Sequence, residues 1–385
     1  MNRSIRRLYL SIVVSFGLLA GFLGWWQVVA AGELESRRGN PYVAEKERRI
    51  DRGAITSVDG KFLARSIPTT VGGQRVYRRV YPQGALAPHV VGYATPQLGS
   101  TGIEAAFNKY LAGSYGAEPL LRRLNLADQR GADVQLTLDT RVQRVAVDAL
   151  AGRAGAVVAL DPRSGAILAM ASAPTFNLND VATDFAEVRT RPGAPLLSRP
   201  TQSRQPPGST FKVVTATSAL ESGSYTATSR FVDTGRFVLN GQAITNFGGA
   251  RFGAHTFQIA LTKSINTTFA RIGQDLGPDR LGQTMTAFGF GEAPELRDLP
   301  PAMLVTSGRF GADGKLLPNG EQGIDTPRVA IGQERLGATP LQMAMVASAI
   351  ANGGELRRPF LVRQVRDRGG DVVRAGRAET VRRVT

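Results

Sequence analysis

The sequence contains no cysteine and only two histidines among its 385 residues. Without thiols there are no disulfides, no thiolate metal sites and no cysteine nucleophile. A Ser-His-Asp triad would need His89 or His255, and neither stands in a recognisable catalytic setting. We read His255, in Ala254-His255-Thr256-Phe257, as structural. Two histidines also exclude a histidine-rich metal site. Acidic residues are outnumbered by basic ones, 31 to 47, for a net charge of +16. Such a balance raises nucleic-acid binding, but the basic residues are dispersed and no aromatic-basic stacking motif appears. A basic exterior facing anionic lipid or an anionic wall polymer fits at least as well. The hydrophobic share of 42% and the length allow a large core and about two or three domains.

One stretch carries chemistry. From Gln205 to Gly223 the chain reads Gln-Pro-Pro-Gly-Ser-Thr-Phe-Lys-Val-Val-Thr-Ala-Thr-Ser-Ala-Leu-Glu-Ser-Gly. Pro206, Pro207 and Gly208 cannot continue a helix from upstream, so a helix here starts at about Ser209. Val213, Val214, Ala216 and Leu220 suit burial, and Gly223 suits its end. Ser209 then lies in the first turn, with Lys212 three residues on, on the same face and within reach. An amine in a half-buried apolar site loses basicity, so part of it is neutral near pH 7 and can take the serine proton. The helix N-terminus offers free N–H groups for an oxyanion beside Ser209. These features describe an acyl-transfer serine with a lysine base. The spacing alone is common, and a solvated Lys212 is the plain alternative. The surrounding Pro-Pro-Gly-Ser-Thr-Phe-Lys favours the chemical reading.

Residues 1 to 7 are short and basic, and Leu8 to Ala31 carry no charge. At about 1.5 Å per residue such a run spans a bilayer, with Trp25 and Trp26 as interfacial anchors. Arg3, Arg6 and Arg7 would keep the N-terminus in the cytoplasm and the remainder outside it. A cleaved signal peptide ending at Val29-Ala30-Ala31 is the competing reading, but the apolar run exceeds the usual length of about 7 to 15 residues. Residues 32 to 150 read as a β-rich spacer or docking unit without evident chemistry. Glu45 to Asp51 is expected as an exposed linker. Two short strands flank the Asp59-Gly60 turn, a short helix covers Thr101 to Phe107, Asp133 to Leu138 is extended, and Asp139 caps a helix through Leu150. From residue 151 the pattern becomes α+β. Gly155–Leu160 and Ala166–Ala171 form an antiparallel hairpin around Asp161-Pro162-Arg163-Ser164-Gly165, followed by helices. Ser264-Ile265-Asn266 breaks two apolar stretches. Its hydroxyl and amide suit a proton relay and a substrate-amide hook, or a simple helix cap. Ile331 to Gly354 reads as a loop and a core helix, hence architecture.

Together these pieces resemble the class B penicillin-binding proteins, and among them the actinobacterial penicillin-binding protein A type. The family's serine-lysine motif matches Ser209-Thr210-Phe211-Lys212 and its Ser-x-Asn motif matches Ser264-Ile265-Asn266. The apolar N-terminal run, Arg52-Gly53-Ala54-Ile55, Ser198-Arg199-Pro200 through Phe211, and Thr339-Pro340-Leu341-Gln342-Met343-Ala344 supply matching context, so the resemblance runs the length of the chain. It implies a serine D,D-transpeptidase at the extracytoplasmic face of the cell membrane, cross-linking peptidoglycan stem peptides in division or elongation. Ser209 would attack the D-Ala-D-Ala amide, Lys212 would be the base, Ser264 would relay protons and Asn266 would orient the peptide. β-Lactams would acylate Ser209 as substrate mimics. The resemblance implies no metal or organic cofactor, and a membrane glycosyltransferase with other division or elongation proteins as partners.

One departure shapes the expectation. The family's third motif, Lys-Thr-Gly or Lys-Ser-Gly on a sheet strand, does not occur in these 385 residues; Lys315 continues as Leu316-Leu317. By the resemblance that strand binds the substrate carboxylate and supplies an oxyanion N–H, and losing one such donor costs about 100- to 1,000-fold in rate. A catalytic sheet missing its C-terminal part, with an unpaired edge, and little or no activity are therefore expected, with a fragment of a working transpeptidase favoured over an evolved inactive protein. The alternative function is a non-catalytic wall-assembly scaffold or β-lactam-binding protein. Retention of Ser209, Lys212, Ser264 and Asn266 together speaks against it. A carboxypeptidase lies within the same reaction class, and a β-lactamase is discounted because of the long spacer.

Overall fold

Asp133–Leu136 alternates an exposed acid with buried Val134 and Leu136, the pattern of a strand with one buried face. A computed structural model of the chain describes residues 3–25, 45, 47–115, 130–239 and 241–385. In it, Asp133–Leu136 lies inside a six-stranded sheet. One neighbour is the parallel Ile55–Thr56, beyond which the hairpin strands Phe62–Val71 and Gln74–Val80 follow. The other is the antiparallel Val362–Arg366, then Val372–Ala375. The sheet therefore takes strands from both ends of the chain. The expected strand stops at Leu136 because Thr137 turns inward to other partners. Its N–H donates to the Leu361 carbonyl at 2.7 Å and its hydroxyl to the Ile167 carbonyl at 2.7 Å.

Asp139 caps the helix Thr140–Leu150, its side chain accepting from the Arg141 N–H. From this helix the buried Gln143 reaches two units at once. Its Nε2 donates to the Leu86 carbonyl at 2.9 Å, and its Oε1 accepts from the Met170 N–H at 2.7 Å. Met170 belongs to the hairpin Gly155–Leu160 and Ile167–Ala173, paired antiparallel as the sequence suggests. Gly165 closes its turn at φ +84°, a conformation glycine adopts freely, and a Cβ there would meet the Arg358 carbonyl oxygen at 2.3 Å. Among the described residues the hairpin forms a two-stranded sheet. The last strand, Thr380–Arg383, pairs instead with Glu355–Arg357.

Two apolar cores meet at the helix Lys212–Glu221. Phe211 and Val214 enter the larger one, which runs from Ile55 and Val134 to Phe290 and Leu341. Ala216 and Ala219 enter the smaller one with Phe257, Phe269, Ile272 and Ile331. The helix is buried on both faces, which fixes it as a rigid support.

Three expectations need correction in detail. The exposed linker has ended by Ile50, which is buried, and Asp51 bridges to Arg130. The chemical helix opens with a 3₁₀ turn at Gly208–Phe211 before its α-helical part. The apolar N-terminal helix runs Arg3–Gly24, and residues 26 to 31 of the expected anchor lie outside the described ones. Its segment Ile5–Leu23 is long and apolar enough to cross a membrane, by length and composition.

The N-terminal unit is locked by one fully buried carboxylate. Glu104 pairs with Arg52 at 2.8 Å and Arg79 at 2.6 Å, joining a short helix, a strand and the segment leading into the sheet. Burial alone would raise its carboxyl, but the two guanidiniums hold it below the ordinary value. Removing the acid would strand two largely buried arginines. Glu104→Ala should therefore lower unfolding free energy by about 3–5 kcal/mol, read from denaturant titration. Because the folded carboxyl is the more acidic, this stabilisation is present above the ordinary glutamate range and fades as pH falls through the folded value. An unchanged midpoint would refute the clamp.

Candidate active site

The 3₁₀ turn at Gly208–Phe211 explains the closeness of the two chemical groups. At three residues per turn, side chains at i and i+3 eclipse, so the hydroxyl of Ser209 stands directly over Lys212. The Nζ–Oγ distance is 2.9 Å. Ser209 is exposed while Lys212 is 1% exposed, so the hydroxyl faces solvent and its partner does not. Phe211 between them is fully buried, edge-on to Phe290 at 5.5 Å, and pins the turn to the core.

A second segment closes the site. The helix Phe257–Thr262 ends, Ser264 takes φ +56°, and a new helix begins at Asn266. A non-glycine residue in that region is strained by about 1–3 kcal/mol. The bend brings both oxygens of Ser264 to the lysine, the carbonyl at 2.9 Å and the hydroxyl at 3.0 Å. The Asn266 Oδ1 accepts from the same nitrogen at 2.6 Å. Three of the four residues singled out in the sequence therefore converge on the amine of the fourth, Lys212. The simple-cap alternative for this segment is not what the structure shows: the N-cap position is Ile265, which has no side-chain cap bond.

A third segment holds the Ser209 turn in place. Gln205 and Ala338 exchange backbone hydrogen bonds at 3.0 and 2.9 Å, and the Gly208 N–H donates to the Gly332 carbonyl at 3.0 Å. Gly332 has φ +78°, and a Cβ there would lie 2.0 Å from the Gly208 oxygen. Sequence reading placed this segment as architecture, without its contact to the nucleophile loop. Residues 230 to 253 had no reading in the sequence, although Asn240-Gly241 is a hairpin signal. The strands Arg236–Leu239 and Gln242–Thr245 pair around it, and the Thr245 carbonyl accepts from Asn266 Nδ2 at 3.0 Å. His255 is structural as read, bonded to Gly253 and Thr268 at 2.8 and 2.9 Å.

The hydrogen-bond inventory at Lys212 decides what the amine can do. Four oxygens surround a nitrogen that, when protonated, has three donors. When neutral it has two N–H groups and a lone pair. The Ser264 carbonyl and Asn266 Oδ1 can only accept, so they take those two hydrogens and leave the lone pair to the hydroxyls. Burial lowers the ammonium from the ordinary lysine value to about 8. At that value about a tenth is neutral at pH 7. Among the described residues no group of three or more His, Cys, Asp or Glu is placed to hold a metal.

Comparison with known proteins now settles the family. Residues 155–384 match the penicillin binding protein transpeptidase domain, and residues 52–134 match the penicillin binding protein A dimerisation domain. The chain belongs to the penicillin-binding protein transpeptidases. It is 36% identical to the peptidoglycan D,D-transpeptidase PbpA of Mycolicibacterium smegmatis, over 95% of this chain and 76% of that one. Its fold is similar to that of penicillin-binding protein A from M. tuberculosis in an imipenem acyl-enzyme complex. That similarity has a TM-score of 0.77 at 30% identity, covering 88% and 80% of the two chains. A D,D-transpeptidase domain from Eggerthella lenta gives 0.74 at 36% identity, covering 86% and 77%.

If the neutral Lys212 is the base, reactivity follows its deprotonation. The acylation rate by a labelled penicillin should rise about tenfold per pH unit below pH 8 and level above it. A flat profile from pH 6 to 9 would remove Lys212 from the role of base.

Proposed function

We propose that the chain is a peptidoglycan D,D-transpeptidase that works through an acyl-enzyme on Ser209. The observation that carries this reading is the single buried amine of Lys212 touching Ser209 Oγ, Ser264 Oγ and Asn266 Oδ1. Ser209 Oγ attacks the carbonyl between the two D-alanines of a stem peptide, and its proton passes to the neutral Lys212. The C–N bond then breaks as Ser264, in contact with the same amine, gives its hydroxyl proton to the departing D-alanine nitrogen and takes the proton held by Lys212 in its place. An amine from a neighbouring strand attacks the resulting ester and releases Ser209 with a peptide cross-link. Asn266, held through its Nδ2 and facing the lysine with Oδ1, is the residue to which the resemblance gives the orienting of the substrate amide.

The acyl-enzyme complexes of M. tuberculosis penicillin-binding protein A with imipenem and penicillin G support β-lactams as inhibitors here. A strained lactam presents the same carbonyl with a leaving nitrogen that cannot diffuse away. The non-catalytic scaffold reading gains nothing from the geometry, since a binding module has no use for a depressed lysine under an exposed serine.

The domain plan follows the sequence reading. We assign residues 1–7 as a cytoplasmic tail leading into the helix, 8–31 as a membrane anchor, 32–150 as a docking unit and 151–385 as the transpeptidase domain without its third motif. The helix Arg3–Gly24 supports the anchor, and Arg3, Arg6 and Arg7 at its start favour the catalytic domain on the extracytoplasmic side. A membrane glycosyltransferase acting in division or elongation is the partner this placement suits.

Labelled penicillin should mark a complete form of the protein, one that carries the third motif, covalently, and Ser209→Ala should abolish the mark. Lys212→Ala should slow labelling by about 100- to 10,000-fold. Labelling of the Ser209→Ala protein at the original rate would overturn the nucleophile assignment.

A further inference from the structure

The helix that begins at Asn266 has an unusual start. Its N-cap residue is Ile265, whose side chain cannot accept a hydrogen bond from the free N–H groups of the first turn. The acceptor comes from elsewhere in the chain. Asn246 Oδ1 accepts from the Thr267 N–H at 3.2 Å. Asn246 is itself held by Asp233, which accepts from Asn246 Nδ2 at 2.8 Å and from the Thr267 hydroxyl at 2.7 Å. Two backbone donors, Gly235 N–H and Phe252 N–H, complete the carboxylate at 2.8 Å each. Asp233, Asn246 and Thr267 are all buried, at 5%, 4% and 6% exposure.

This cluster zips residues 245–246 to residues 266–267. Thr267 is bound to Asn246 and Asp233, and the adjacent Asn266 donates through Nδ2 to the Thr245 carbonyl. With the amino end of Asn266 committed to a carbonyl, its oxygen end must face Lys212. A carboxamide turned the other way would point donors at an amine that itself donates. We propose that Asp233 and Asn246 are positioning residues that set the orientation of Asn266, and through it the direction of the Lys212 lone pair. This rests on the acyl-transfer reading of Ser209. The carboxylate is well suited to the task. Burial alone would make it less acidic, but its hydrogen bonds from Thr267, Phe252, Gly235 and Asn246 hold it below the ordinary value, so it stays an acceptor for all four donors. A negative group beside the first turn also complements the helix dipole.

The test uses the full chain with asparagine side-chain amides labelled for NMR. In the unaltered protein the Asn266 amide should exchange slowly and give one sharp pair of signals. Asp233→Asn places an amino group against two of the four donors, and Thr267→Val removes one hydroxyl; each should expose the Asn266 amide to fast exchange. In both, the acylation rate constant for labelled penicillin should fall about tenfold or more while non-covalent affinity stays within about twofold. Thr267→Ser keeps the hydroxyl and should restore both readouts. Should Asp233→Asn fail to fold, the Val and Ser pair at 267 decides alone. Unchanged Asn266 exchange in Thr267→Val would overturn the proposal, as would equal losses in Thr267→Val and Thr267→Ser. Exchange needs no acylation. A protein with a protected Asn266 that penicillin does not label would therefore count against the acyl-transfer reading and leave the clamp standing.

Discussion

Everything at this site depends on one buried amine with too many acceptors. Lys212 Nζ lies 2.6–3.0 Å from four oxygens supplied by three residues. Oxygen acceptors favour the ammonium, while burial favours the free amine, and the net shift is downward to about 8. On the acyl-transfer reading proposed above, the balance leaves a base able to take a serine proton and unprotonated often enough to do so near neutrality. A fully solvated lysine would be almost entirely charged there, and a lysine without acceptors would have no fixed lone-pair direction. The Phe269 ring, 5.9 Å from the nitrogen, adds an apolar wall that still tolerates the cation when the proton arrives.

Holding that amine requires rigidity on every side. The helix bearing it is packed into both cores, so its axis cannot shift without opening one of them. Ahead of it, Gly208 and Gly332 touch backbone to backbone, a contact that any side chain at 332 would prevent. Across from it, Ser264 keeps a strained backbone because the following helix is tied to the 230–256 hairpins. Strain at a functional position persists only where neighbours over-determine it, and here the neighbours are Asp233, Asn246 and Thr267.

Much of this was legible before the fold was known. Pro206-Pro207-Gly208 announces a break, and a break followed by an apolar helix places Ser209 and Lys212 on one side whether the first turn is 3₁₀ or α. Two short apolar runs around the Asp-Pro-x-x-Gly turn mark the hairpin, and Asp139 marks the cap. What sequence could not provide is contact between distant segments. Ser264 and Asn266 stand more than fifty residues from Lys212, and only a shared motif suggested that they meet it. Asp233 looks like any turn aspartate before a glycine, and its value as an acceptor for Thr267 exists only once residues 230 to 256 fold back over the helix start. The strand Asp133–Leu136 was legible too, but its partner Val362–Arg366 lies over two hundred residues away, and pairing of that range follows from topology, not local pattern.

That long-range pairing changes how the two halves of the chain relate. A spacer joined by a flexible linker could move freely with respect to a catalytic unit. Here Thr137, at the end of the N-terminal strand, bonds at once to Ile167 in the catalytic hairpin and to Leu361 leading into a C-terminal strand. Gln143 ties the same hairpin to Leu86 in the N-terminal unit through buried bonds at both ends of its amide. Buried hydrogen bonds of this kind are costly to leave unmade, so the two units cannot separate without stranding polar groups. Through these bonds the Glu104-locked N-terminal unit is tied to the hairpin Gly155–Leu160 and Ile167–Ala173. The N-terminal unit is mechanically part of the catalytic scaffold.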